Sequence, residues 1–407
     1  MYPYQLLLFV NACLLVGINA YTPTVIQEPL FDIGHTAFKD SPNNQIITGL
    51  YGYQNDTPAI QIHDIDTNVG WEWKWEGASG VNQYLKTLTN LTSCLNGTNY
   101  WSATEVKFAR NGTLIAAIYA NAAVVIHREP GDKTMDKKVL FATCTNDLLG
   151  NAHTVEVLPG NKLAVATSGK TSDDGFLVFN MSSPLSDSPK VLQQIKGLRA
   201  VHGLIWDEHA QMLWANGLNE APDGGATHPA QAVLQGYYYD KSTELLEESR
   251  TTKFQFPCAS DLHTEWGGGA YATWWDGPHD LAPVPNERKL LLTTDLDVYV
   301  FDINKGAFER GECAQSDYLK GFRSLGSRRG VNSQGREECI PRSDIKSVSL
   351  GLNDSLIYVQ APWKSASALG NQINVYHNGV YIPLFKRWDV YRSRWFADVP
   401  GWPKPRF

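Results

Sequence analysis

The chain has 407 residues, with 42 acidic and 35 basic side chains and a formal net charge of −7. Hydrophobic residues make up 43% and charged residues only 19%, which excludes a disordered or low-complexity polymer. The acidic balance argues against a non-specific nucleic-acid binder, which needs a basic face. The length allows one large all-β domain or two or three average ones. With 13 Trp, 18 Tyr and 34 Gly, the composition suits β-structure and sugar binding, although the same rings also pack β cores.

Leu6 to Gly17 is apolar apart from Asn11 and ends in Ile18-Asn19-Ala20. This reads as a signal peptide over residues 1–20, too short for a membrane span. A soluble, exported chain starting at Tyr21 is expected. Six sequons agree with export: Asn55, Asn90, Asn96, Asn111, Asn180 and Asn353 each stand two residues before Ser or Thr. Beyond the leader, the cysteines are Cys94, Cys144, Cys258, Cys313 and Cys339. Cys94 with Cys144 and Cys313 with Cys339 are two pairings open to them, and spacing does not choose among the others. No CxxC spacing occurs, which disfavours a thiolate zinc site.

Short β-like runs, separated by Gly, Asn, Asp and Pro, recur along the chain with a shared register. Thr104 opens TEVKFARNGTLIAAI, His153 opens HTVEVLPGNKLAVAT and His202 opens HGLIWDEHAQMLWAN. His279 opens HDLAPVPNERKLLLT, and Lys346 opens KSVSLGLNDSLIYVQ. Each is a strand, a turn and a second apolar strand. Third strands follow as AAVVIH, FLVFN, VYVFD and INVYH. A sixth unit near the amino end reads QIITGL, IQIHDID and WEWKW, Trp71 to Trp75. Repeats of four short strands predict a single-domain, all-β propeller over 21–407, with six repeats visible and six or seven blades. The C-terminal WDVYRSRWF, Trp388 to Phe396, is expected to supply the missing strand of the first unit and close the ring, removing exposed sheet edges. The charged, Gly-containing stretch from Lys305 to Arg342 is expected to be a surface loop.

In a propeller the first strand of each blade lines the axial channel. The openers Thr104, His153, His202, His279 and Lys346, with Glu105 beside the first, therefore converge at one mouth. Three aligned histidines are harder to dismiss than one, although a polar plug is the structural alternative. The imidazoles suit acid–base work or, alternatively, a divalent cation. Lys346 disfavours a tight cation site, so no cofactor is expected. With Arg199, it points to an anionic substrate group. Arg392 and Arg394 are weaker candidates for that role. Trp101, Trp275 and Tyr391 are expected to offer stacking surfaces for sugar rings, with Asn216 added to the binding set.

The segments SATEVKF, NAHTVEVLP, VHGLIWDEHAQMLWANG, GPHDLAPV, DIKSVSL and VYRSRWF, in that order, resemble a family of propeller proteins that includes fungal L-rhamnose-α-1,4-D-glucuronate lyases. The resemblance implies a secreted lyase acting on glucuronate-bearing plant glycans of the gum arabic type; a monomer without nucleic-acid or membrane partners is expected. It implies proton transfer by His153, with acid–base or binding roles for His202 and His279. Arg199, Lys346 and Arg394 would recognise the carboxylate. The competing expectations are a metal-dependent hydrolase or lactonase, a lectin with a site repeated between blades, and an interaction scaffold.

Overall fold

The strand–turn–strand units of the sequence form antiparallel hairpins that continue into a third and a fourth strand. The computed structural model describes residues 44–52, 57–96, 102–145, 149–168, 175–220, 231–256, 277–294, 298–309, 317–323, 328–331, 337–340, 345–361 and 369–405. The signal peptide, Trp101, Trp275, Asn55, Cys258 and Cys313 lie outside these residues.

In chain order, β1 (Ile46–Leu50), β2 (Ala59–His63) and β3 (Val69–Trp73) come first. The next sheet is β4 (Ala103–Ala109), β5 (Leu114–Tyr119), β6 (Ala122–His127) and β7 (Val139–Cys144). Then follow β8 (Ala152–Leu158), β9 (Lys162–Thr167), β10 (Gly175–Asn180) and β11 (Val191–Lys196). The fourth group is β12 (Arg199–Asp207), β13 (Met212–Leu218), β14 (Ala232–Asp240) and β15 (Leu245–Gln255). The fifth is β16 (Pro278–Pro283), β17 (Lys289–Thr294), β18 (Val298–Asp302) and β19 (Ala307–Phe308). A two-stranded sheet, β20 (Arg328–Val331) and β21 (Glu337–Ile340), precedes β22 (Ile345–Leu350), β23 (Leu356–Gln360), β24 (Gly370–His377) and β25 (Val380–Trp395).

The result is a β-propeller arrangement. Four sheets have four strands each, and one seven-stranded sheet has the order β22-β23-β24-β25-β1-β2-β3. Six separate four-stranded blades, as the repeats suggested, are therefore not what the sheets display. The reason is β25. Val380 to Phe385 pairs with β24, and the strand then runs on so that Val390 to Trp395 pairs with β1. The innermost strands are neighbours in turn: β25 beside β4, then β8, β12, β16 and β22, with β22 beside β25.

The hairpin turns explain the repeated Asn. Asn111, Asn161, Asn286 and Asn353 all have positive φ between the first and second strands of their units, a conformation Asn tolerates better than most residues. The sheets bury apolar faces against one another. Phe141 of β7 and Phe179 of β10 lie 5.7 Å apart, and Phe254 of β15 lies 4.6 Å from Phe301 of β18.

Two local expectations change. Trp75 starts a short helix, α1 (Trp75–Ala78), instead of extending β3, and a second helix, α2 (Thr89–Asn96), follows. The stretch expected as a loop from Lys305 contains β19 and the β20–β21 hairpin. Asn90 and Asn96 are exposed on α2, Asn111 and Asn353 are exposed in turns, and Asn180 is half-buried. Among the described residues, no helix is long and apolar enough to cross a membrane.

Of the open pairings, Cys94 and Cys144 form a disulfide, with Cα atoms 5.7 Å apart. It ties α2 to β7 across a sequence separation of 50. Closing a loop of that length removes about 4 kcal/mol of chain entropy from the unfolded state. The Cys94→Ser, Cys144→Ser double variant is expected to lose about 2–4 kcal/mol in urea unfolding. An unchanged midpoint and slope would show that the bridge adds nothing.

Candidate active site at the channel mouth

Each inner strand carries an irregularity at the same place. In β4, Ala103 and Glu105 face Tyr119 and Ile118, so Thr104 is an extra residue. His153 is extra in β8, His279 in β16 and Lys346 in β22. In β12, the three residues Ala200, Val201 and His202 oppose Gly217 alone. In β25, Tyr391 is extra between Val390 and Arg392. These are β-bulges, which take a residue out of the ladder and re-aim its side chain. The repeat openers are thus bulge residues, and Tyr391 completes the set.

The structure brings most of them together. The His153 and His202 rings lie 4.5 Å apart, and the His202 and His279 rings 5.4 Å apart. Tyr391 lies 5.5 Å from His153. Lys346 Nζ stands 2.6 Å from His279 Nε2, and Tyr391 Oη stands 3.3 Å from His279 Nδ1. Thr104 instead bonds the Tyr51 hydroxyl at 3.2 Å. The approach of β12 to β16 requires a small residue after His202. A Cβ on Gly203 would fall 2.7 Å from Leu281 Cβ.

Hydrogen bonds fix the protonation pattern. A carbonyl only accepts, so His153 Nδ1 donates to Asn151 O at 2.8 Å and His202 Nδ1 donates to Ala200 O at 2.8 Å. Their Nε2 atoms are left as bases. Ser168 Oγ also lies 2.7 Å from His153 Nδ1. Burial lowers the His153 pKa to about 4, aided by the positive charges of Arg392 and Lys346 and by the neighbouring His279. Burial and the two neighbouring imidazoles push His202 well below the usual histidine range. Both rings are neutral at pH 7. An ammonium only donates, so Lys346 bonds the Nε2 lone pair of His279 and leaves the ring proton on Nδ1, toward Tyr391.

Beneath the mouth lies a buried ion-pair layer. Arg394 Nη2 bonds Glu105 Oε1 at 3.1 Å and Asp280 Oδ1 at 2.9 Å. Arg392 Nη1 bonds Asp280 Oδ1 at 2.9 Å, and its Nε faces Glu105 Oε2 at 4.0 Å. Asp280 also accepts the Val348 and Leu281 amides at 2.8 and 2.9 Å. Burial raises the Asp280 pKa, but Arg392 and Arg394 outweigh it and hold the carboxyl below its usual range. Glu105 and Arg394, assigned to substrate binding from sequence, sit in this layer engaged by each other, with Arg394 also bound to Asp280 and Glu105 also accepting from Thr154 Oγ1. Asn216 is fully buried, its Nδ2 donating to Asp280 O at 2.9 Å. Arg199 opens β12, half-buried, three residues before His202.

Asp280 and Arg392 were the important residues that sequence reasoning passed over or underweighted. The available signal was the position after each opener, which reads Glu105, Thr154, Gly203, Asp280, Ser347 and Arg392. Two of these are acids and one is a base, and with Arg394, two residues beyond Arg392, they make a charge-balanced plug.

A cation shared by three imidazoles does not fit this arrangement, because His279 Nε2 is engaged by Lys346. Among the described residues, no three His, Cys, Asp or Glu side chains form a metal-binding group.

No family model and no curated protein matches the chain. Among solved structures, it is similar in backbone to hydrazine synthase of Kuenenia stuttgartiensis, at 12% identity over 79% of this chain and 78% of that one, with a TM-score of 0.42. It is similar to apo AztD from Citrobacter koseri at 9% identity over 86% and 97%, with a TM-score of 0.37. It is also similar to a chain of a mitotic checkpoint complex at 10% identity over 94% and 90%, with a TM-score of 0.40. At such scores these likenesses carry no argument about chemistry.

Proposed function

We propose that the chain is a secreted, monomeric uronate lyase, a six-bladed propeller in which β25 serves two blades and closes the ring. One observation carries the activity: His153, His202, His279, Lys346 and Tyr391, from five inner strands, meet at one mouth above a charge-balanced layer. The proposed substrate is a glucuronate-bearing plant glycan, cleaved by β-elimination with release of L-rhamnose. It needs no cofactor in this reading.

The C5 proton of a uronate is weakly acidic because the carboxylate resists further negative charge. The Lys346 ammonium, with Arg199 at the start of β12, offsets that charge. His153 Nε2 takes the C5 proton, the C4=C5 double bond forms, and the C4–O4 bond breaks. The leaving oxygen receives the Tyr391 hydroxyl proton. Tyr391 is resupplied from His279 Nδ1–H, and His279 Nε2 from Lys346; solvent then takes the proton from His153 and returns one to Lys346. His202 Nε2 accepts a substrate hydroxyl. The low His153 pKa keeps the base unprotonated down to mildly acidic pH.

Ultraviolet absorbance during incubation with gum arabic tests the reading, because elimination creates a conjugated 4,5-unsaturated uronate. Rising absorbance with rhamnose release, unaffected by chelator, is the expected result. A metal-dependent hydrolase is the second reading. It is favoured by two imidazoles that donate Nδ1–H to backbone carbonyls, the usual arrangement of metal-binding histidines. Sugar release without absorbance, abolished by chelator, would establish it instead.

A further inference from the structure

We infer that Arg392 is a positioning residue: one buried guanidinium grips the backbone carbonyls of the bulge residues His202, His279 and Lys346, and so sets where their side chains point. A bulge disrupts the strand ladder, so the carbonyl of its extra residue needs another donor. Arg392 supplies it three times. Nη1 donates to Lys346 O, and Nη2 donates to His279 O and, at 2.9 Å, to His202 O. These carbonyls belong to three different sheets. One planar group therefore fixes three strands relative to one another.

Arg392 is fully buried. It lies below the Tyr391 ring, whose centroid is 5.0 Å from the guanidinium carbon. It is thus placed to act through its neighbours and not on substrate. Asp280 neutralises it from the side, and Glu105 Oε2 lies 4.0 Å from its Nε. Lysine would keep the charge but not the planar fork, because an ammonium is a compact point donor on a flexible stem. Arg394 is the natural comparison. It binds the same two carboxylates but donates to Val348 O, two residues beyond the bulge, and to none of the three opener carbonyls.

The test is Arg392→Lys in protein labelled at histidine, read by ring nitrogen NMR. The His202 and His279 signals are expected to shift or broaden. His127, paired with Glu129 at the end of β6, and His209, in the turn after β12, should stay in place as internal references. In Arg394→Lys, the His202 and His279 signals should be retained. The activity arm rests on the lyase reading: kcat should fall roughly 10²-fold, the loss expected from a displacement of about 1 Å, with KM nearly unchanged. If Arg392→Lys does not fold, the paired variant Arg392→Gln, Glu105→Gln removes one charge of each sign and carries the same ring readout. Unchanged His202 and His279 signals in the folded variant would overturn the proposal. Shifted signals in a protein whose wild type shows no elimination would leave the positioning role standing and sink the lyase reading.

Discussion

Replacing His153 by alanine is expected to lower elimination turnover by roughly 10²–10⁴-fold, the usual contribution of a positioned general base, while leaving the fold intact. The site explains both halves. His153 Nδ1 is committed to Asn151 O and Ser168 Oγ, so the proton-accepting atom is Nε2. The ring is half-buried, belongs to no ion pair and sits on a bulge, so its loss removes about 1 kcal/mol of hydrogen bonding. The pH profile gives a sharper signature. The folded pKa of about 4 lies below the ordinary 6.5, so kcat/KM should hold through pH 5 and fall only as pH drops through about 4. An acid limb near 6.5, or full activity in the alanine variant, would assign the base elsewhere.

Asp280→Ala is expected to cost about 3–5 kcal/mol of stability, the penalty for leaving a buried charge without its partner. The carboxylate answers Arg392 and Arg394 and also takes two backbone amides. Without it, two buried guanidiniums share Glu105 alone. The pH dependence has a definite sign. The folded pKa of Asp280 is depressed below 3.8, so its stabilisation is fully present above about 4 and is lost as pH falls through the folded value. Urea unfolding of wild type and variant should therefore differ most at neutral pH and converge in strong acid. A gap that is small at pH 7, or that widens on acidification, would contradict the ion-pair account.

Much of the architecture was legible because the signals are local. Alternating apolar runs, Asn at the hairpin turns and five aligned openers identified the propeller arrangement and brought His153, His202, His279 and Lys346 to one place. The bulges were not legible. Inserting one residue into a strand leaves no mark on composition, and it is the bulge that turns the opener toward the channel. The ion pairs of Glu105 and Arg394 were not legible for a related reason. A charge near a site reads from sequence as a ligand contact, whereas Arg394 pairs with Glu105 and with Asp280, which stands 114 residues from it and is recognised only once the strands are side by side. The short helices α1 and α2 escaped because Trp75 continues a run of aromatics that reads as strand, and the packing of α2 on β6 and β7, with α1 against α2, is a tertiary effect.

The pairing of β1 with β25 has a consequence for biogenesis. Thr48 and Ser393, bonded through their hydroxyls at 2.8 Å, are 345 residues apart. The ribosome makes β1 long before it makes β25. Until then, β1 has an uncovered edge of the kind that invites pairing with other chains. Pairing of β1 therefore awaits β25, and contacts of such separation make that step slow. Newly made chains should depend on chaperones for as long as β1 waits.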